Sequence, residues 1–188
     1  MRTETKKESN VGFIVRLAVT LFLISAVTAG LLAGVNSITA PVIAKANEAK
    51  TQEAVEAVLP GGGKQIDFAG SDPSGLVSAV YASDAGYAVK VAPSGFGGAI
   101  EMMVGVDKGG NVLGISIIKH AETPSLGAVA AAKGAAGESF RDSFKGLSGE
   151  VKVSKDGGEA DTISGATITS RAVANGVNIA LTCAKNLG

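Results

Sequence analysis

The chain has 188 residues, 46% of them hydrophobic, and its 17 Lys and Arg balance 17 Asp and Glu to a formal charge of zero. That length suits one modest globular domain with an apolar segment outside it, and the even charge excludes the clustered cations a nucleic-acid partner requires. One cysteine, Cys183, and one histidine, His120, exclude an internal disulfide and leave no ligand set for zinc or an iron-sulfur cluster, so redox chemistry here needs an organic cofactor.

In chain order, the first element is the uncharged run Leu17 to Val35, 19 residues long. At ~1.5 Å per residue it spans about 28 Å, close to the hydrocarbon thickness of a bilayer, and a transmembrane helix is predicted over residues 11–35. A cleaved signal peptide is the competing reading, but its apolar core usually has about 7 to 15 residues. No cysteine follows the run to receive a lipid. Arg2, Lys6, Lys7 and Arg16 precede it, whereas Lys45 and Lys50 follow only at a distance. Counted side by side, these charges make residues 1–10 a cytoplasmic tail and turn everything after the helix outward.

Residues 36–60 read as a juxtamembrane helix. Pro41 suits its first turn, because a proline there gives up only an N–H that would be unpaired anyway. Val55, Val58 and Leu59 form its apolar stripe, Lys45, Glu48, Lys50, Glu53 and Glu56 its wet face, and Pro60 to Gly63 its stop. Gly61 to Lys64 lacks the hydroxyl residue and preceding strand of a phosphate loop.

Residues 61–188 form the predicted outward domain. Strands are expected at Val77 to Ala82, Tyr87 to Ala92, Ala99 to Val106 and Val112 to Lys119, the last two joined by the hairpin loop Asp107 to Asn111 and therefore antiparallel. Ala128 to Lys145 reads as helical, weakened by Gly134 and Gly137, and Val151 to Ser154 as an edge strand. A helix is expected from Ser170 to Leu187, with Val173, Val177, Ala180, Leu181, Ala184 and Leu187 on one face. Separate groups of strands and helices give an α+β class. No strand, glycine fingerprint and helix occur in series, which argues against a dinucleotide fold.

Ahead of that last helix stands Asp161-Thr162-Ile163-Ser164-Gly165-Ala166-Thr167. A helix N-terminus suits an anion, Gly165 allows a sharp backbone turn and Ala166 keeps the neighbouring space small. The plain alternative is a helix entry capped by Ser164, Thr169 or Ser170. A second stretch, His120-Ala121-Glu122-Thr123-Pro124-Ser125-Leu126-Gly127, follows the fourth predicted strand.

The first motif resembles the Ser/Thr-Gly-Ala-Thr run on which flavin mononucleotide (FMN) is fixed through its phosphate, and the second resembles a His-x-Glu-Thr-Pro-Gly-Leu-Gly stretch of the same flavoproteins. Gly95-Phe96-Gly97-Gly98 and Met103 to Asp107 also fit, so the chain is similar to the G subunits of the Rnf complex, the membrane ion-translocating ferredoxin:NAD oxidoreductase. The C subunit of the sodium-translocating NADH:quinone reductase shares the motif and ranks second. The resemblance implies FMN esterified to Thr167 by a separate flavin transferase that takes it from a dinucleotide donor and recognises the surrounding motif, Asp161 included. It also implies electron transfer with the A, B, C, D and E subunits, coupled to sodium or proton movement. Ser164, Gly165 and Ala166 would frame the phosphate, and Glu122, Thr123, Leu126, Gly127 and His120 would line the flavin ring. Ser125 departs from the family's glycine; if that position is left-handed, serine costs about 1 kcal/mol. Two rivals remain: a standalone anchored flavoprotein that keeps Thr167, and a cofactor-free outward binding module.

Overall fold

The computed structural model describes residues 4–68 and 72–188, with side chains from residue 11 onward. Arg2 and the side chains of Lys6 and Lys7, on which part of the charge asymmetry rests, lie outside the described residues. The chain divides into two compact units, Met1–Glu48 and Ala49–Gly188.

Helix α1 runs without interruption from Glu4 to Val58, with Pro41 inside it. Two helices were expected and one is found. A proline removes one N–H and its bond to the carbonyl four residues back, a local cost that good helix formers on both sides, such as Ala40, Ala44 and Ala46, can absorb. Nearby, the hydroxyls of Ser37 and Thr39 donate to the carbonyls of Gly34 and Val35 at 2.8 and 3.0 Å. Within the first unit the apolar side chains from Val11 to Ile43 are exposed, Phe22 at 71% and Leu31 at 68%. By length and composition this helix is long and apolar enough to cross a membrane. It stops where the glycine run was expected to stop it: Gly61 and Gly62 have φ of 84° and 69°, and the Gly62 N–H closes onto the Leu59 carbonyl at 2.9 Å.

The second unit is built on a five-stranded antiparallel sheet whose spatial order is its chain order: β1 (Lys64–Ile66), β2 (Val77–Ser83), β3 (Gly86–Val91), β4 (Glu101–Asp107) and β5 (Val112–Lys119). The four strands expected are present, β5 with its expected ends. The short edge strand β1 was missed because Lys64-Gln65-Ile66 offers no alternating pattern long enough to read. At the hairpin between β4 and β5, the Asp107 carboxylate accepts the Asn111 backbone N–H at 2.8 Å and its side-chain amide at 2.9 Å.

Both faces of the sheet are covered, so β4 reads Met102 to Val106 buried without alternation. Ala54, Val55, Val58 and Leu59 from the end of α1 cluster with Ala88 and Met103 on one face. On the other, Val80, Val89, Val91, Met102, Val104 and Val106 pack with Val173, Val177, Ala180 and Ala184 of α3 (Thr167–Leu187). Phe140 and Phe144 join this core with rings edge to face at 5.3 Å.

Three expectations are corrected. The segment from Ala128 to Lys145 is a 3-10 turn, Gly127–Ala131, and a separate helix α2, Ala135–Asp142. Gly134 takes φ 147° at the break, and Arg141 Nη1 donates to the carbonyls of Ala130 and Ala132 at 2.8 and 3.0 Å, satisfying backbone that a continuous helix would have paired internally. Val151 to Ser154 is not a strand. The Asn178 side chain accepts from the Val151 N–H and donates to its carbonyl, and Val153 makes only an isolated parallel bridge to Ala160. Finally, α3 begins at Thr167, three residues before the expected Ser170, so Thr167 lies in the first helical turn and not ahead of it.

Candidate functional site

The start of α3 explains its own chemistry. Its N-cap residue is Ala166, and no side chain caps the helix. The hydroxyl residues expected to do so are committed elsewhere. The Ser170 hydroxyl donates to the Ala166 carbonyl and accepts the Ile163 N–H, both at 3.0 Å, which folds Ile163 to Ala166 into a tight turn. The Thr169 hydroxyl, 1% exposed, donates to Glu122 Oε2 at 2.6 Å. Gly165 occupies the apex of this turn at φ 75°, where a side chain would be strained. First-turn N–H groups at the positive end of the helix dipole are thereby left without a side-chain cap, a feature that an anion site uses.

Thr167 and Thr169 are thus separated by environment. Thr169 is sealed, whereas Thr167 is half-buried and its Oγ1 has Lys155 Nζ as a donor at 3.5 Å. Ser164 is exposed on the turn. Asp161 projects an exposed side chain while its N–H bonds the Ser143 hydroxyl at 2.9 Å.

Glu122, 6% exposed, ties the second motif to the first. Its Oε1 accepts the Gly97 N–H at 3.0 Å, and its Oε2 accepts the Thr169 hydroxyl, so one carboxylate joins the Gly95 to Gly98 loop, the segment after β5 and the first turn of α3. Gly127 lies against that tie: a Cβ there would stand 2.5 Å from both Glu122 Oε2 and Thr169 Oγ1. His120 Nδ1 accepts the Glu122 N–H at 3.2 Å, which puts the proton of a neutral ring on Nε2. The Thr123 carbonyl receives the N–H groups of Leu126 and Ala128 at 3.2 and 3.1 Å, closing a turn in which Ser125 has φ 61°. The condition posed for Ser125 is met: its backbone is left-handed.

Sequence positions some forty residues apart therefore meet. Leu126 covers the Gly165 turn, with Cδ2 3.1 Å from where a Gly165 Cβ would be. Leu126 at 43% and Ile168 at 52% exposure leave apolar side chains beside Thr167 without protein cover. Thr123 is exposed and Glu122 is not, so of the two, the threonine hydroxyl is the one open to a ligand.

Sequence reasoning did not single out Ser154 to Asp156, the loop that carries Lys155. Its 3-10 turn is pinned to the Asp161 to Thr167 segment by Ser154 Oγ and the Lys155 N–H, both on Thr162 Oγ1 at 3.0 and 3.2 Å. Asp156 takes a bidentate hydrogen bond from Arg171 at 2.7 and 2.6 Å, and this guanidinium holds the Asp156 carboxyl below the ordinary range. Only the register of Lys155 twelve residues before Thr167 was available in the sequence, and irregular backbone carries no period from which a contact can be read.

A wider groove, lined by Tyr87, Asp107, Glu150, Thr182 and Lys185, lies at the opposite end of α3, about 27 Å from Thr167 by helical rise. It contains none of the motif residues.

Two family models match the chain: an FMN-binding domain over residues 95–182 and an RnfG N-terminal region over residues 11–58. The first contains every candidate site residue. Among curated relatives, the G subunit of the Na(+)-translocating ferredoxin:NAD(+) oxidoreductase complex of Acetobacterium woodii is 33% identical over 100% of this chain and 99% of its own length. The G subunit of the ion-translocating oxidoreductase complex of Photorhabdus laumondii is 34% identical over 86% of each chain. The G subunit of the proton-translocating ferredoxin:NAD(+) oxidoreductase complex of Clostridium ljungdahlii is 42% identical over 50% of this chain and 51% of its own.

Proposed function

Since the chain belongs to the family of G subunits of ion-translocating oxidoreductase complexes, we propose that it is a membrane-anchored electron carrier with FMN esterified through its phosphate to Thr167. The observation that carries this reading is the contrast between two threonines in one helical turn. Thr169 has its hydroxyl buried on Glu122, while Thr167 presents its own at an uncapped helix N-terminus beside a lysine.

When bound, FMN supplies the redox step, accepting and releasing electrons between neighbouring centres. The chain's own residues position and surround it. First-turn N–H groups of α3 face the phosphate charge, and the Gly165 turn lets the backbone approach it closely. Leu126 and Ile168 offer apolar surface to a flavin ring, with Thr123 and His120 Nε2 as polar contacts at its edge. Glu122 acts behind them, holding the two motifs and the Phe96 loop in register. Asp161, exposed and not engaged by its side chain, belongs to the surface that a flavin transferase recognises.

Tethering suits a domain outside the cytoplasm, where a dissociated flavin is diluted away. The positive charge before the apolar run favours a cytoplasmic N-terminus and an extracytoplasmic domain. Electrons would then reach FMN from partner subunits in the membrane, the A to E subunits of an Rnf complex, in a cycle that couples ferredoxin oxidation and NAD reduction to ion movement.

Denaturing electrophoresis of chain from its native membrane, viewed under ultraviolet light, tests the attachment. A fluorescent band is expected for the natural chain and none for Thr167→Ala, with intact mass reporting the same difference. Covalent flavin persisting in Thr167→Ala would sink the assignment.

A further inference from the structure

Among the described residues, Lys155 is the cation that reaches the proposed acceptor hydroxyl, and several contacts of its loop place it there. Ser154 N–H bonds the Ala160 carbonyl at 2.6 Å, Thr162 Oγ1 binds both Ser154 and Lys155, and Asp156 is clamped by Arg171 of α3 itself. The loop's only carboxylate is thereby matched by Arg171, and Lys155 makes no ion pair within 4.0 Å among the described residues. An exposed ammonium 3.5 Å from a hydroxyl in the first turn of an uncapped helix, with the neighbouring Asp156 already paired to Arg171, is an arrangement for negative charge gathered beside that oxygen.

We propose that Lys155 is the charge-stabilising residue of flavin loading, an inference that rests on Thr167 being the acceptor. In the loading step Thr167 Oγ attacks the flavin-side phosphorus of a flavin dinucleotide. A new O–P bond forms, the P–O bond of the pyrophosphate breaks, and adenosine monophosphate departs with the electron pair. The hydroxyl proton passes to a base of the transferase, and no electron is gained or lost overall. Lys155 faces the phosphoryl oxygens as charge accumulates on them, and in the product it stands against the single negative charge that the phosphodiester keeps. An ammonium that donates to Oγ1 also turns the hydroxyl proton away from itself, toward the side open to an external base.

The test uses the full chain in detergent with transferase and flavin dinucleotide, and reads initial loading rates by in-gel fluorescence and intact mass. Lys155→Met is expected to lower kcat for loading about tenfold, an oxyanion-type loss discounted for the exposure of Lys155. Lys155→Arg is expected to restore the rate to within about twofold of the natural chain, since its guanidinium carries the same charge. Raising salt should slow the natural chain and leave Lys155→Met unaffected. Thermal melting of the variants should stay close to that of the natural chain, because Lys155 is exposed and Asp156, on which its charge acts, is held directly by Arg171. Loading of Lys155→Met at the natural rate, with Thr167→Ala unloaded, would overturn the role of Lys155 and leave the attachment reading intact. Loss confined to KM for the chain would make Lys155 part of the transferase's docking surface and overturn it too, as would an equal loss in Lys155→Arg. Loading of Thr167→Ala would instead remove the attachment reading itself.

Discussion

A carboxylate with 6% exposure and, among the described residues, no ion pair within 4.0 Å is costly unless it meets donors, and Glu122 meets two: the Gly97 N–H and the Thr169 hydroxyl. Glu122→Ala would strand both donors in the interior. We expect a loss of about 2 kcal/mol in unfolding free energy, read by urea denaturation, and a loss below about 0.5 kcal/mol would show that the tie carries no stability. Residue identity made some of this site legible and distance hid the rest. The Ser164 to Thr167 run could be noticed as a motif by its resemblance, and the departure from glycine at Ser125 raised the question of a left-handed backbone, which is found there. The Glu122 tie does not, since its partners lie 25 and 47 residues away in the chain. A glutamate after a strand reads as a polar turn residue until the fold closes around it.

Elements were legible where one pattern dominated and misjudged where two competed. The strands, with turn residues at their ends, came out within about two residues. At the start of α3 every candidate cap was a hydroxyl residue, and sequence alone could not say which would turn inward. Ser170 folds back on the preceding turn and Thr169 goes to Glu122, so the helix starts earlier and uncapped. The docking of α3 has a convenient reporter. Cys183 is fully buried on its inner face, and burial pushes its thiol up to about 11. A raised folded-state value means the neutral thiol is favoured, so stability is retained below the ordinary value of 9.0 and lost as pH climbs from there toward about 11. At pH 8 a maleimide should therefore label the native chain at least about a hundredfold more slowly than the urea-unfolded chain, and comparable rates would mean that α3 opens readily.

For the molecule as a whole, composition pointed to an apolar segment and a separate domain with boundaries at residues 35 and 60, and the two compact units divide at residue 48, inside the expected juxtamembrane helix. What composition could not supply is the continuity of α1 through Pro41, because a proline tolerated in a first turn and one tolerated mid-helix look alike without their neighbours. The orientation is open to direct measurement. A periplasmic-type phosphatase fused after Gly188 should be active, and a fluorescent protein that matures only in the cytoplasm should stay dark. The reverse pair of signals would invert the topology argued from Arg16 and the residues before it.

The meander order of the sheet bears on timing. Every strand pairs with the one synthesised just before it, so β1 to β5 can zip together while the rest of the polypeptide is still emerging, at the low entropic cost of short loops. The inner face of that sheet, partly covered by Phe140 and Phe144, is completed when α3, which follows them in the chain, lays its valines and alanines across it. Thr167 thus acquires its surroundings only once sheet and helix have met, so the flavin ester proposed there would be made on a folded domain and its presence would report that folding had succeeded.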